Sequence, residues 1–132
     1  MASRPKRSKR KIPFRNINNN FNNQFLLTKF IHHEKSFTFC CNIVYVNVMK
    51  NMSVDCDCCA VAEDPCIADI GILASTDPIA IDQACLDLVY ACSDPGKPHL
   101  IERIESRNGI HTIEAAAAIG LGSREYELVE VV

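Results

Sequence analysis

DIGILASTDPIAIDQACLDLV, residues 69–89, predicts a buried strand that leads directly into a helix. The first seven residues are almost wholly apolar, which is typical of a strand covered on both faces of a sheet. Asp77 can accept hydrogen bonds from the free amide groups at a helix start, and Pro78 suits the first helical position because it has no N–H to leave unbonded. The apolar residues that follow form one stripe: Ile81, Ala84, Cys85 and Leu88. We therefore expect a strand at 69–75 and a helix at 78–91.

The flanking segments predict further elements of a small α/β fold. Alternating valines favour a half-buried strand at 41–49, and a strand is also expected at 124–131. Helices are expected at 98–107 and after Thr112, with Thr112 as the cap and Gly120 as a left-handed stop. The resulting fold is a small layered three-stranded sheet with about three helices. Because so narrow a sheet leaves its edges exposed, we expect a fragment of a larger α/β domain or a homo-oligomer.

Charge and composition set residues 1–36 apart from the rest of the chain. Residues 1–50 hold ten Lys or Arg against one acid, and residues 51–132 hold four against fifteen. The first 36 residues are basic and rich in asparagine, which predicts a disordered tail followed by a domain at 37–132. The run RPKRSKRKIPFR could contact nucleic-acid phosphates, but the chain offers no base-reading module, so we do not expect a nucleic-acid partner.

The sequence lacks several features that would indicate a membrane span, secretion or a particular reaction. It contains no run of about 18 apolar residues, which argues against a membrane span. The basic start is not followed by an apolar stretch and a small-residue cleavage site, so we expect a cytoplasmic protein. No Ser-His-Asp order, phosphate-binding glycine loop or paired-carboxylate pattern stands out. We therefore assign no reaction and no catalytic residue.

Half of the eight cysteines lie in the short acidic segment SVDCDCCAVAEDPC, residues 53–66. In a reducing compartment, clustered thiols indicate metal binding or redox chemistry, and four thiolates can hold zinc or an iron–sulfur cluster. The candidate ligands are Cys56, Cys58, Cys59 and Cys66. Their spacing matches neither the ferredoxin run nor paired zinc knuckles. The alternative is a solvent-facing acidic loop whose cysteines are structural, redox-sensitive or unpaired.

The turn between the strand and the helix of residues 69–89 is a second candidate site. Ser75, Thr76 and Asp77 lie where a helix start could bind an anion. Asp77 can itself supply the negative group, so a self-capped helix is the favoured alternative. Cys85 and Cys92 fall on or beside the apolar stripe, where a cysteine usually behaves as a small hydrophobic residue.

Three segments together resemble a known family: YVNVMKNMSVDCDCC, DIGILASTDPIAIDQACLDLV and HLIERIESRNGIHTIEAAAAIGLGSREYELVEV. From about residue 43 to the end, the chain resembles the carboxy-terminal part of the domain of unknown function 362 family, whose members are usually described as iron–sulfur centre proteins. The resemblance implies a link to a cluster. Many members carry an upstream ferredoxin-type cysteine run that this sequence lacks, and only Cys56 and Cys58 correspond to the family's DCDC motif.

Two functions therefore remain open. The first is an iron–sulfur-associated or metal-binding protein, with a possible electron-transfer or sensing role and an unknown redox partner. The second is a non-catalytic interaction module or truncated remnant without metal, which pairs through an exposed sheet edge with a missing family domain or with a second copy.

Overall fold

The computed structural model describes residues 25–29, 43–55 and 58–131. Its elements, in chain order, are β1 Phe25–Lys29, β2 Tyr45–Met49, β3 Gly71–Ser75, α1 Pro78–Ala91, α2 Lys97–Ser106, α3 Gly109–Ala118 and β4 Glu127–Val131. The predicted α/β class and the three helices are confirmed. Helix α1 has the predicted bounds, whereas the other predicted helices and strands are shifted or shortened by a few residues.

The described strands form one sheet in the order β2-β3-β1-β4. Strand β1 is parallel to β3 and antiparallel to β4, while β2 is antiparallel to β3. The sheet therefore contains the three predicted strands and a fourth, β1, which lies inside the predicted disordered tail. For residues 25–29 that prediction was wrong, because β1 is hydrogen-bonded on both sides by strands distant in sequence. The rest of the predicted tail lies outside the described residues.

The helices form a layer on one face of the sheet, with α1 against β2 and β3 and with α2 and α3 beside it. Leu73 of β3 and Ile81 of α1 are the largest fully buried side chains of the core between the layers. On β2, Met49 joins this core and Asn47 donates hydrogen bonds to Asp82 and Cys85 of α1. None of the described helices is long and apolar enough to cross a membrane.

The opposite face of the sheet exposes a row of valines. Asn47 and Met49 face α1 and the core. Because successive side chains of a strand point to opposite faces, Val46 and Val48 point away from α1. Val44, Val46 and Val48 are 63%, 55% and 59% exposed. We call these three residues the valine row; Val44 lies just before β2, and the other two lie on β2, at one edge of the described sheet.

The start of α3 differs from the prediction. Asn108 adopts a left-handed conformation with φ 52°, and α3 begins at the next residue, Gly109. This tight turn places Thr112 inside the helix, so the predicted cap at Thr112 was wrong. Gly120 has φ +81° just after the helix, as predicted for a left-handed stop.

Candidate metal-binding loop

We call residues 50–70, between β2 and β3, the cysteine loop; its described residues, 50–55 and 58–70, form two arms. The Ile70 amide donates to the carbonyl of Met49 at 2.9 Å, and the Cys66 amide donates to the carbonyl of Met52 at 2.8 Å. Further out, the Ser53 hydroxyl donates to the carbonyl of Glu63 at 2.8 Å. These bonds hold the two arms of the loop together below the segment that carries Cys58 and Cys59.

One ion pair and one histidine–carboxylate contact dock the cysteine loop onto α2. Arg103 contacts the carboxylate of Asp55 at 3.0 Å, and Nε2 of His99 lies 2.8 Å from Oε2 of Glu63. Each contact joins one arm of the loop to the same helix. Asp55 and Glu63 therefore have structural partners, which the sequence alone did not indicate.

The turn between α1 and α2 holds the second arm. One oxygen of Asp94 accepts from the Ala68 amide at 3.0 Å and the other accepts from the Gly96 amide at 2.8 Å. The bonds from Ala68 and Gly96 lower the pKa of Asp94, because they favour its charged form. A Cβ on Gly96 would lie 1.6 Å from the carbonyl oxygen of Cys66, so only glycine allows the loop to approach this closely.

The candidate ligands occupy different environments. Cys58 and Cys59 are exposed, whereas Cys66 is half-buried and its thiol donates to the carbonyl of Met52 at 3.3 Å. Cys56 lies outside the described residues. Burial raises the pKa of the Cys66 thiol, and the charges of nearby acidic groups raise it further.

A metal site needs donors that converge on one point. Among the described residues, no group of three or more His, Cys, Asp or Glu side chains is arranged to hold a metal ion. Cys66 therefore does not join Cys58 and Cys59 in a closed site. Its half-buried thiol is bonded to a backbone carbonyl, whereas Cys58 and Cys59 are exposed. Metal binding by Cys56, Cys58 and Cys59 stays a prediction.

At the second candidate site, the predicted cap of α1 is confirmed. Oδ1 of Asp77 accepts from the amides of Ile79 at 2.8 Å and Ala80 at 3.0 Å. Its Oδ2 accepts from the amide of Ser123 at 2.8 Å, so the same carboxylate joins α1 to the segment that precedes β4. Anion binding at Ser75, Thr76 and Asp77 stays a prediction. The amides of Ile79 and Ala80, which an anion at this helix start would use, already donate to Asp77.

A polar network beside α1 was missed by the sequence reasoning. The nearly buried Gln83 accepts from Nε of Arg124 at 2.7 Å and donates to Asp87 at 2.8 Å. Asp87 also accepts from the Tyr126 hydroxyl at 2.7 Å, and Arg124 pairs with Glu114 at 3.2 Å. These contacts give SREYEL a structural role, since they fasten the segment that precedes β4 to α1 and α3.

A comparison with protein-family models matches residues 3–87 to the family described as a domain of unknown function, DUF362. The chain belongs to the DUF362 family. The DUF362 match covers β1, β2, the cysteine loop, β3 and most of α1, so it includes nearly all of the predicted tail. It ends at position 87, inside α1. The link to iron–sulfur chemistry and the carboxy-terminal placement stay predictions. Comparisons with curated proteins and with solved structures gave no match.

Proposed function

We propose that this DUF362 protein is a metal-binding, iron–sulfur-associated protein that holds its cation or cluster through Cys56, Cys58 and Cys59. The observation that carries the proposal is the position of Cys58 and Cys59. Both are exposed on a loop whose two arms are bonded to each other and docked onto α2. Arms that are already held by these bonds lose less conformational entropy when a metal binds.

The charges of the loop support a cation as the ligand. Asp64 is exposed on the second arm, whereas Asp55 and Asp69 already pair with Arg103 at 3.0 Å and with Lys50 at 3.8 Å. Negative charge disfavours an uncompensated thiolate but favours a bound cation, so thiolates in this segment need a metal to balance them. Zinc bound there would be structural, whereas an iron–sulfur cluster would supply one-electron transfer.

Titration with Co²⁺ under anaerobic conditions tests the ligand assignment. Thiolate ligands give Co²⁺ an intense near-ultraviolet charge-transfer band, which we expect for the wild-type chain. The band should be lost in the double variant Cys58→Ser/Cys59→Ser and kept in Cys66→Ser. Cys85→Ser is the matched control, because Cys85 is a half-buried thiol on α1. A band of wild-type intensity in Cys58→Ser/Cys59→Ser would contradict the proposal.

A second candidate function is an interaction module in which β2 pairs with β2 of a second copy. The valine row is exposed on this strand, which lies at the edge of the described sheet, and residues 43–49 carry no charge. An uncharged edge strand can pair with an identical antiparallel strand, and a twofold axis would place two valine rows side by side. Such pairing would extend the sheet across both copies.

Sedimentation velocity over a range of protein concentrations tests this second candidate. We expect a dimer for the wild-type chain and a monomer for Val46→Glu/Val48→Glu, because charge on an edge strand opposes pairing. Val61→Glu is the control, since Val61 is 87% exposed but lies in the cysteine loop. A wild-type chain that stays monomeric at the highest concentration would exclude self-pairing.

A further inference from the structure

Two cysteines that the metal proposal does not use share one environment. Cys66 lies on the second arm of the cysteine loop and Cys92 lies at the end of α1. Both are half-buried free thiols, and both pack against the same hydrophobic core cluster. They are 26 positions apart in sequence, so a bond between them would join the loop to the helix.

The backbone around this pair is held in place from both sides. Gly96, four residues after Cys92, directly contacts the carbonyl of Cys66. Asp94, two residues after Cys92, accepts from the amide of Ala68, two residues after Cys66. Residues 66–68 and 92–96 are therefore two short segments in direct contact, and each begins with one of the two cysteines.

The electrostatics of the thiols agree with this placement. Burial is the main cause of the raised pKa of Cys66, and the neighbouring ionisable groups that raise it further are Asp94, Glu63 and Cys92. Cys85 differs, because its thiol interacts with the side-chain amide of Asn47 at 3.3 Å, and its pKa is raised first by burial and then by the charge of Asp82.

We propose that Cys66 and Cys92 form an oxidisable pair that closes a disulfide between the cysteine loop and the end of α1. With oxidised glutathione as the oxidant, one cysteine thiolate attacks a glutathione sulfur, forms a mixed disulfide and releases one glutathione. The other cysteine thiolate attacks the protein sulfur of that disulfide and releases the second glutathione. Two electrons pass to oxidised glutathione, and the two protons lost by the cysteines are taken up by the two glutathione thiolates.

The structure also sets how this pair responds to pH and to heat. Because burial raises the pKa of Cys66, its reactive thiolate is scarce at neutral pH, and disulfide formation should speed up as the pH rises above 7. The disulfide closes a long loop, so the oxidised chain should unfold at a Tm at least ~5 °C above that of the reduced chain.

Peptide mapping of the oxidised full chain tests the proposal. Trypsin cannot separate these cysteines, since no Lys or Arg lies between Lys50 and Lys97. Cleavage before Asp does separate them and gives the peptides 64–68 with Cys66, 82–86 with Cys85 and 87–93 with Cys92. After treatment with oxidised glutathione at pH 8.5, we expect 64–68 joined to 87–93 at a mass two hydrogens below their sum. Reduction should release both peptides.

The same mapping on Cys56→Ser/Cys58→Ser/Cys59→Ser separates this inference from the proposed function. That variant lacks the proposed metal ligands but keeps the pair, so the linked peptide should still form. Cys92→Ser should abolish it and Cys85→Ser should not. The proposal is overturned if 64–68 and 87–93 each carry a separate glutathione, or if either is linked to another cysteine peptide instead. The wild-type map decides this even where a variant fails to fold.

Discussion

Gly96 is the residue on which the docking of the cysteine loop depends most closely. Any side chain there would begin with a Cβ 1.6 Å from the carbonyl oxygen of Cys66, a distance at which the backbone must move. The amide of the same residue donates to Asp94, which also accepts from Ala68 on the loop. A shift at Gly96 therefore disturbs both attachments at once.

We expect Gly96→Ala to lower the free energy of unfolding by about 3 kcal/mol, because a well-packed contact would have to open. Urea unfolding followed by circular dichroism measures this change. Gly120→Ala is the control: its φ of +81° disfavours alanine by about 1 kcal/mol, but a Cβ there would meet nothing within 4 Å. A loss in Gly96→Ala no larger than that in Gly120→Ala would contradict the close contact.

Asp94 makes stability depend on pH in the acid range. Its pKa in the folded state is lowered from the ordinary value of 3.8, first by the bond from Ala68 and then by that from Gly96. A group with a lowered folded pKa contributes its stability above the unfolded pKa and loses it as the pH falls toward the folded value. We expect Asp94→Asn to be less stable than wild type at pH 6 and to approach it below pH 3.

Thermal unfolding of both proteins between pH 2.5 and pH 6 checks this expectation. Glu102→Gln serves as the control, since Glu102 is exposed on α2 and should give the wild-type pH profile. Parallel profiles for wild type and Asp94→Asn would show that the two hydrogen bonds of Asp94 do not favour its charged form.

At the scale of elements, the start of α1 is joined to the segment that precedes β4. Asp77 caps two amides of α1 and accepts a third bond from Ser123, whose neighbour Gly122 lies against the same carboxylate. The polar network of Gln83 and Arg124 fastens the same segment to α1 further along the helix. The position of β4 thus depends on polar contacts to α1 as well as on pairing with β1.

We expect Asp77→Ala to lower the free energy of unfolding by about 2–4 kcal/mol, because it removes a helix cap and leaves the Ser123 amide without its acceptor. Asp77→Asn should be intermediate, since its amide oxygen can still cap α1 while its NH₂ group faces Ser123. Asp82→Ala, an exposed position on α1, should change stability by less than about 1 kcal/mol. Equal stability of Asp77→Ala and Asp82→Ala in urea would contradict the double role of Asp77.

Sequence reasoning succeeded where structure is determined locally. Asp77 and Pro78 start α1 through contacts within a few residues, so its bounds were predictable. The start of α3 was not, because it depends on a left-handed Asn108 that allows the helix to begin at once. The cysteine loop was recognised from its composition. The partial burial of the Cys66 thiol was not, because it results from packing against a core whose members are distant in sequence.

For the whole molecule, the main departure from the sequence prediction is β1. It lies between β3 and β4, and its backbone pairs with residues more than forty positions away. A strand of five residues amid asparagine-rich sequence has little local signal, and long-range pairing decides its conformation. Without β1, β3 and β4 would each lose a hydrogen-bonded neighbour.

Deletion of residues 1–29 should therefore abolish cooperative thermal unfolding, whereas deletion of residues 1–20 should preserve it because β1 remains. Circular dichroism during heating, with size-exclusion chromatography for aggregation, distinguishes the two. Cooperative unfolding of both deletion variants at the same Tm would show that β1 is not needed for the fold.

The proposed function depends on whether the exposed thiols of the cysteine loop bind a metal in the protein as it is made. The most direct measurement is the content of iron, zinc and acid-labile sulfide in the anaerobically purified full chain, compared with Cys58→Ser/Cys59→Ser. We predict metal in near-stoichiometric amount in the wild-type chain and less than one tenth of that in the double variant. A wild-type chain without metal, or a double variant with the same metal content, would contradict the proposal.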